Sequence, residues 1–473
     1  MFERETRGIS LEEIVSGNSS LRIFGLFISF LLVLSLASFG LATGFKIIVF
    51  AGATLFGYIF FKGASFLSFL AFLGIITCIR IYRFHILPGH IVSITLGEPI
   101  IIVIVTFFVI FYSKNFQKMK IVSDPFKIPL LLILLASVLS LTQSQNTFVS
   151  IFWLCFMGVG YLLYRWMVHF GIKDFRKSFD IAVFIFTIFI LLSIVRLYIS
   201  PPQVQATTKL GSIFANRFVL IFTGPNAVAG IISTLFPLVI LYIKYHNFPY
   251  KIFWFVVLLL GLYILYITAS RNGFFASYAA IITTTFLVVN KKKRITVGLA
   301  VFCFLLIFTI VNPVIMRRIF TIFNYQLDTS ALARIILWIQ AISAFKNHLF
   351  TGIGVGNFFY LPMSMNFSAA HNQLFNILSE IGIIGGVGYI ILLYLIFKFL
   401  IHSYMNNVRT KKINFIYSGS LIGSWVAFTA HNIFDCIWAA PHHPKEAMFF
   451  WLLLALTAII IHRAERGNGI DRV

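Results

Sequence analysis

The chain has 473 residues, of which 60% are hydrophobic, 17% are aromatic and only 11% are charged. A soluble domain carries about 25% charged residues, so this composition, with a mean hydropathy of +0.96, excludes an ordinary soluble protein and predicts a polytopic helical membrane protein. The formal net charge is +23. Because much of this excess lies in short connections between apolar runs, it indicates membrane topology and contact with anionic headgroups rather than nucleic-acid binding.

The first 20 residues mix charges of both signs and lack the features of a signal peptide, which predicts a short cytoplasmic lead-in before a retained first span. Apolar runs long enough to cross a bilayer then follow one another to the C-terminus. The chain is therefore expected to be all-α, with one transmembrane domain over residues 1–473 and one large connection at 316–382. The predicted spans are 21–40, 45–62, 64–81, 97–113, 126–143, 147–169, 179–199, 226–244, 252–269, 273–289, 295–315, 383–402, 414–436 and 446–462.

Lysine and arginine mark every second connection from the fifth span onward. Positively charged connections face the cytoplasm, so both termini are predicted to be cytoplasmic and the 316–382 segment to be extracytoplasmic. The basic connections are 114–120, 173–177, 244–251, 291–294 and 408–412.

Several features of other protein classes are missing from the sequence. Two similar halves would favour a transporter, and a nucleotide-binding loop would favour an ATP-driven motor; neither pattern occurs. The four cysteines show no metal-binding spacing and are predicted to be small buried hydrophobic residues: Cys78, Cys155, Cys303 and Cys436.

Two outward connections each carry an arginine next to turn residues. Arg217 precedes a Gly-Pro-Asn turn that ends at Asn226, and a guanidinium that only reaches to lipid headgroups is the alternative interpretation. Arg271 follows Ser270 in a very short Ser-Arg-Asn-Gly connection. Ser270 is expected to cap the next helix, and an arginine at a helix N-terminus favours an anion-binding site.

The 316–382 segment begins with a third arginine. Arg334 lies on a helix expected to start at 328–330 and to run through Phe345 along the outer membrane surface, where an ordinary cation at the headgroups is the alternative. The Gly-Ile-Gly-Val-Gly-Asn run at 352–357 follows no predicted strand and is a weak dinucleotide signal. It predicts instead a tight turn in which the backbone approaches a ligand or a helix.

A histidine and a polar stripe open the following helix. His371 is predicted to lie near the start of this helix, on which Asn372, Asn376 and Glu380 recur every four residues. Such a stripe on an apolar span is expected to line a cavity. A neutral imidazole there could take a proton from a hydroxyl nucleophile near neutral pH, with a purely structural histidine as the alternative.

A second polar cluster lies near the outward end of the next-to-last span. His431 and Asp435 share a helix face, which suits either a metal pair or a buried structural contact. Outward carboxylates are otherwise few, and no Asp-x-Asp or Asp-x-Glu motif occurs. Because a metal-dependent sugar transferase needs carboxylates to hold its cation, no metal site is predicted. The arginines instead suit an anionic group such as a pyrophosphate leaving group.

In this order, the residues resemble the O-antigen ligase / O-antigen polymerase family of bacterial integral membrane glycosyltransferases over roughly residues 200–460. The resemblance implies a GT-C-like fold of about 12–14 helices with a large outward loop over a lateral cavity. It also implies the bacterial inner membrane, with the active site facing the periplasm. The matching blocks are Arg217 with Gly-Pro-Asn-Ala, the turn at Arg271, the R-x3-W-x2-A-x3-F…GIGVGNF block from Arg334, the HNQLFNILSEIGIIGG block from His371, and the HNIFD cluster from His431.

The resemblance further implies the chemistry. The donor would be a glycan on undecaprenyl pyrophosphate, and Arg271 and Arg334, together with Arg217, would bind the pyrophosphate. His371 would activate the acceptor hydroxyl, which attacks the anomeric carbon with inversion. Neither a metal nor another cofactor is implied. The supporting polar residues would be Asn226, Asn372, Glu380, His431 and Asp435.

The sequence does not decide which acceptor is used, and it leaves two other classes of protein as alternatives, a transporter and a membrane scaffold. A ligase uses the lipid A–core sugar and is favoured over a polymerase, which uses a second lipid-linked repeat; a relative uses protein Ser or Thr. A transporter or flippase of an anionic or lipid-linked substrate would also place arginines around a cavity. It would, however, distribute basic residues through the spans, whereas here polar groups concentrate at the outward end. In a membrane scaffold, none of the arginines or His371 would matter individually.

Overall fold

The computed structural model describes residues 83–87, 90–95, 124–172, 175–199, 225–289, 291–311, 329–364, 367, 369–410, 414–436 and 444–467. The first four predicted spans, Arg217 and the 200–224 loop lie outside these ranges. The described α-helices are α1 (Lys127–Leu139), α2 (Thr147–Gly171), α3 (Phe175–Ile199), α4 (Pro225–Tyr245), α5 (Tyr250–Thr268), α6 (Arg271–Val288), α7 (Arg294–Val311), α8 (Thr329–Asn347), α9 (Gln373–Arg409), α10 (Asn414–Asn432) and α11 (Pro444–Gly467).

The predicted all-α membrane class is confirmed. Five described helices are long and apolar enough to cross a membrane: Thr147–His169, Pro225–Tyr245, Tyr250–Thr268, Gln373–Arg409 and Ala447–Ala464. The predicted spans 179–199, 273–289, 295–315 and 414–436 also coincide with helices, namely α3, α6, α7 and α10. Helices satisfy every backbone polar group within the segment, which is why apolar runs adopt them in a bilayer.

A short antiparallel hairpin is the one β element among the described residues. Strand β1 (Arg83–Leu87) pairs with β2 (His90–Thr95), with Phe84 opposite Ile94. The hairpin lies in the connection between two predicted spans, 64–81 and 97–113, so it adds to the helical architecture without replacing a span.

Three helices form the centre of the bundle. Helices α4, α6 and α10 all contact one another, and α4 is buried along most of its length. The α4–α6 approach is close, because a Cβ at Gly273 would lie only 2.4 Å from the Cβ of Ala229. The hydrophobic effect does not drive helices together inside a bilayer, so their association depends on close packing. Small residues at such crossings let the two backbones approach closely. This packing fixes the N-terminal ends of α4 and α6 beside the C-terminal end of α10.

Helix α9 packs against α1 and α10, and its bounds differ most from those of its predicted span. The predicted span was 383–402, but the helix begins at Gln373 and continues to Arg409, with a break at Gly382, where φ is +68°. The α8–α9 connection docks at this break, since the Ile383 N–H donates to the Leu349 carbonyl over 2.8 Å. The early start agrees with the polar stripe predicted to open this helix, and the apolar span 383–402 covers only the part after the break.

Smaller boundary differences also have physical causes. The predicted span 126–143 is an α-helix only to Leu139 and continues as a 3₁₀ turn, Ser140–Gln143. Helix α10 ends at Asn432, so that Asp435 lies beyond the helix. Cys155 and Cys303, predicted to be buried, are exposed, whereas Cys436 is buried. Apolar residues of a membrane helix face lipid as readily as they face the core, so hydropathy alone does not predict burial.

Candidate functional site

The structure brings His371 and Asp435 into direct contact. Nδ1 of His371 lies 3.1 Å from Oδ1 of Asp435, and both side chains are mostly but not fully buried. The two residues are 64 positions apart and come from different elements. The ring of Phe367 packs edge-on against His371, with the ring centroids 5.2 Å apart. The imidazole is therefore held on one side by a carboxylate and on another by an aromatic ring.

His371 lies two residues before the first residue of helix α9, which agrees with its predicted position near the start of this helix. Its φ is +51°, in the left-handed region, and Asn372 is extended and caps the helix by accepting a hydrogen bond from the Phe375 N–H over 3.0 Å. A non-glycine residue with positive φ is uncommon and persists only where its surroundings hold it. His371 thus projects from a fixed turn that leads into the N-terminus of α9.

Asp435 is positioned to hold one tautomer of His371. Burial alone would raise the pKa of the Asp435 carboxyl, but the hydrogen bond from His371 and the neighbouring imidazoles of His371 and His431 hold this pKa below its ordinary value. The Cys436 N–H also donates to Oδ1, over 2.9 Å. An ionised carboxylate only accepts hydrogen bonds, so Nδ1 of His371 carries the proton and Nε2 is left as the basic nitrogen.

His431 and Asp435 form no hydrogen bond with each other among the described residues, although their charges are close enough to interact. Helix α10 ends between them, and Nε2 of His431 lies 3.0 Å from the carbonyl oxygen of Asn226 instead. His431 is fully buried. Its carbonyl accepts a hydrogen bond from the Asn272 side chain over 2.6 Å. His431 therefore joins the ends of α4, α6 and α10.

The N-terminus of α6 presents Arg271 next to this junction. Ser270 caps the helix as predicted, because its hydroxyl accepts the Gly273 N–H over 3.2 Å. The same hydroxyl donates to the Asn226 side chain over 3.0 Å. Arg271 is the first residue of α6 and is half-buried. The neighbouring Asn272–His431 bond fixes this turn against the end of α10.

Arg334 reaches the same segment from α8. Its Nε donates to the Phe434 carbonyl over 3.2 Å. One turn further along α8, the Trp338 ring lies 6.2 Å from the ring of Phe434 and 5.9 Å from that of Phe375, measured between centroids. Arg334 is thereby attached to the residue that precedes Asp435.

The segment 433–435 is the point at which these elements meet. Asn372 donates to the Ile433 carbonyl over 2.9 Å, Arg334 to the Phe434 carbonyl, and His371 to the Asp435 carboxylate. The start of α9, the middle of α8 and the end of α10 are thus joined through three consecutive residues. The sequence showed each polar block separately but gave no sign that this segment links them.

The predicted polar stripe serves two different purposes. Asn376 is buried and accepts the Ala370 N–H over 3.0 Å, directly before His371. Glu380 is 1% exposed and accepts the Phe358 N–H over 3.3 Å. Glu380 borders a small apolar pocket together with Trp153. The stripe mainly fixes the 352–357 turn and the His371 backbone.

The glycine-rich turn packs against helix α9. The Gly354 N–H donates to the Glu380 carbonyl and the Ile353 N–H to the Ser379 carbonyl, each over 3.0 Å. Gly352 has a φ of +65°, and a Cβ there would lie 2.3 Å from the Glu380 carbonyl oxygen. The run is therefore a tight turn in which the backbone approaches a helix, one of the two predicted alternatives.

Two of the predicted positions, Arg217 and Asp328, lie outside the described residues. Among the described residues, no three His, Cys, Asp or Glu side chains converge in the manner of a metal site. The described cluster consists of two arginines, two histidines, one carboxylate and several amides at one end of a helical bundle.

Fold and site together define a multi-pass membrane protein with a polar cluster at one end of its helices. Residues 254–390 match the family model described as O-antigen ligase. Over this range, which is less than a third of the chain, the protein is similar to the O-antigen ligase family. The matched range contains Arg271, Arg334, His371 and Glu380. A search of curated proteins gave no match.

Proposed function

We propose that the protein transfers a glycan from undecaprenyl pyrophosphate to an acceptor hydroxyl at the extracytoplasmic face of the bacterial inner membrane. The observation that carries the proposal is the His371–Asp435 pair, in which Nε2 is the basic nitrogen. Arg334 is bonded to the residue before Asp435, and Arg271 lies at a helix N-terminus beside the same helix end. A base and two cations around one helix end suit a reaction with an alcohol nucleophile and an anionic leaving group.

In the proposed reaction, Nε2 of His371 takes the proton of the acceptor hydroxyl. The acceptor oxygen attacks the anomeric carbon as the bond from this carbon to the pyrophosphate oxygen breaks. The leaving pyrophosphate keeps the electron pair, and the guanidinium groups of Arg271 and Arg334 stabilise its charge. Attack opposite to the leaving group inverts the anomeric centre. Asp435 stabilises the imidazolium that forms on His371.

The proposed acceptor is the lipid A–core sugar, which makes the enzyme a ligase. Transfer to a second lipid-linked repeat would make it a polymerase of the same family. A transporter or flippase of the lipid-linked substrate would use the arginines for binding alone. Its activity would not need the basic nitrogen of His371.

The test uses purified full-length protein, a lipid-pyrophosphate-linked oligosaccharide and a panel of acceptors. Glycan transfer and release of lipid pyrophosphate are measured for wild type and His371→Ala. Replacement of a general base is expected to lower turnover by about 100-fold or more. Donor binding should be retained, because the arginines remain.

The matched control is His402→Ala. His402 is exposed near the other end of the same helix α9 and bonds to Asn406. This variant should transfer at the wild-type rate. Equal activity of His371→Ala and wild type would contradict the mechanism, and absence of release with every acceptor would favour the transporter. The productive acceptor distinguishes ligase from polymerase.

A further inference from the structure

Two arginines meet at the end of the bundle opposite to the candidate site. Arg176 lies in the first turn of α3, and Arg463 lies in the last part of α11. Helix α4 begins at the candidate site and ends at Tyr245, and α10 begins at Asn414 and ends at the candidate site. Arg176 contacts Tyr245 at the C-terminal end of α4, and Arg463 lies close to Tyr417 near the start of α10. Both arginines are therefore at the end of the bundle opposite to the candidate site.

Aromatic rings hold both guanidinium groups in place. The guanidinium carbon of Arg463 lies 3.7 Å from the ring centroid of Phe175, and that of Arg176 lies 5.7 Å from the ring centroid of Tyr245. Tyr417 packs between these rings, with centroid distances of 5.1 Å to Phe175 and 6.4 Å to Tyr245. Cation–π contacts of this kind fix guanidinium groups without neutralising them.

Among the described residues, neither Arg176 nor Arg463 forms an ion pair with an acid, although the charge of Asp180 also reaches the Tyr417 ring beside them. The charges of Arg176 and Arg463 are close enough to repel each other. The ion pairs found among described residues, Arg165–Asp124 and His371–Asp435, include neither arginine. The nearby Asp180 accepts a short hydrogen bond from the Tyr242 hydroxyl. Folding has brought two exposed cations together, an arrangement that an anion between them would stabilise.

A third donor, the hydroxyl of the buried Tyr417, lies near the two arginines. The Tyr417 ring is within reach of the charges of both Arg176 and Arg463. Its hydroxyl forms no hydrogen bond with another described residue. Two guanidinium groups and a phenolic hydroxyl form a donor set that suits a phosphate group.

We propose that Arg176, Arg463 and Tyr417 bind the phosphate of an anionic phospholipid at the end of the bundle opposite to the glycan-transfer site. A lipid is favoured over a soluble phosphate because the donors lie at the ends of membrane helices and are framed by aromatic rings. Aromatic and basic residues at this depth meet the headgroup layer.

The test measures lipid binding to the purified full-length protein by native mass spectrometry, with phosphatidylglycerol and phosphatidylcholine as probes. Wild type should retain phosphatidylglycerol in preference to phosphatidylcholine. The double variant Arg176→Gln/Arg463→Gln should lose roughly 10- to 30-fold in affinity for phosphatidylglycerol. Tyr417→Phe keeps the ring contacts and should lose less affinity for phosphatidylglycerol than the double variant. This single variant tests the site even if the double variant folds poorly.

The matched control is Lys251→Gln/Lys293→Gln, which removes the same number of charges at the same end of the bundle. Both lysines are exposed and lie at the starts of α5 and α7. This control should bind phosphatidylglycerol as wild type does. Equal losses in both double variants would show a diffuse charge effect and would overturn the site. Displacement of the lipid by inorganic phosphate would overturn the choice of a lipid ligand. Because none of these measurements depends on glycan transfer, this proposal and the proposed function are tested independently of each other.

Discussion

At the scale of single residues, the candidate site depends on contacts between side chains that are distant in sequence. His371 was identifiable because it stands in a polar block within an apolar chain, and Arg271 and Arg334 for the same reason. The sequence did not show that Asp435 is the partner of His371. The spacing of His431 and Asp435 pointed to a contact between those two residues, yet α10 ends between them and Asp435 turns to His371 instead. Spacing along a helix has meaning only as far as the helix extends.

We predict that Asp435→Asn lowers turnover by roughly 10- to 1,000-fold. An amide in place of the carboxylate cannot stabilise an imidazolium, and it can donate to Nδ1 and so favour the wrong tautomer of His371. The measurement is kcat and KM for glycan transfer, with donor binding measured separately. Asp435→Glu should recover part of kcat. A variant with normal kcat and raised KM would assign Asp435 to substrate binding instead.

We predict that Arg334→Ala lowers kcat/KM for the lipid-linked donor by roughly 10- to 100-fold, the effect of losing a charge-assisted hydrogen bond. Arg334→Lys should recover only part of the lost kcat/KM, because an ammonium group lacks the planar fork of a guanidinium. Lys346→Ala serves as the control, since Lys346 is exposed near the end of the same helix. An equal effect of both alanine variants would indicate a general loss of surface charge.

At the scale of elements, α9 shows how a tertiary contact modifies a helix. Hydropathy predicted the span 383–402, and the structure adds about three turns before it, which carry Asn376 and Glu380. These turns are polar on one side because they bind the 352–357 turn and the backbone before His371. The break at Gly382 joins the two parts, and its positive φ could not be inferred from one sequence because glycine also occurs in ordinary helices.

We predict that Gly382→Ala destabilises the protein by about 1–3 kcal/mol. A Cβ at this position would lie 2.4 Å from the Phe350 carbonyl oxygen, in addition to the strain of φ +68°. Thermal unfolding in detergent measures the effect. Gly298→Ala on α7 is the control, because a Cβ there meets nothing within 4 Å. It should be neutral or stabilising by up to about 1 kcal/mol. Similar unfolding temperatures for the two variants would contradict the role of the break.

At the scale of the whole molecule, the distribution of charge organises the two ends of the bundle. The candidate site lies where α4 and α6 begin and α10 ends, and the arginines of the proposed lipid site lie at the other end. The basic connections predicted to be cytoplasmic, such as 173–177 and 244–251, belong to this second end. The bias of lysine and arginine predicts that the proposed transfer site faces the extracytoplasmic side and that the proposed lipid site faces the cytoplasmic leaflet.

We predict that a membrane-impermeant maleimide labels Met363→Cys in intact spheroplasts but labels Lys293→Cys only after permeabilisation. Both positions are exposed, the first in the connection before α9 and the second before α7. The variants are made in a cysteine-free background, because Cys155 and Cys303 are exposed. The opposite labelling pattern would reverse the proposed orientation and would place the transfer site in the cytoplasm.

The sequence by itself determined the class of the protein, the positions of most described helices and the identity of the polar residues. It could do so because hydropathy, the bias of positive charge and capping chemistry act over a few neighbouring residues. Only the tertiary structure decided that Asp435 serves His371, that Arg334 is attached to the segment 433–435, and that Arg176 approaches Arg463. These contacts join residues that are about 60 to 290 positions apart, and their formation depends on which helix ends the packed bundle brings side by side.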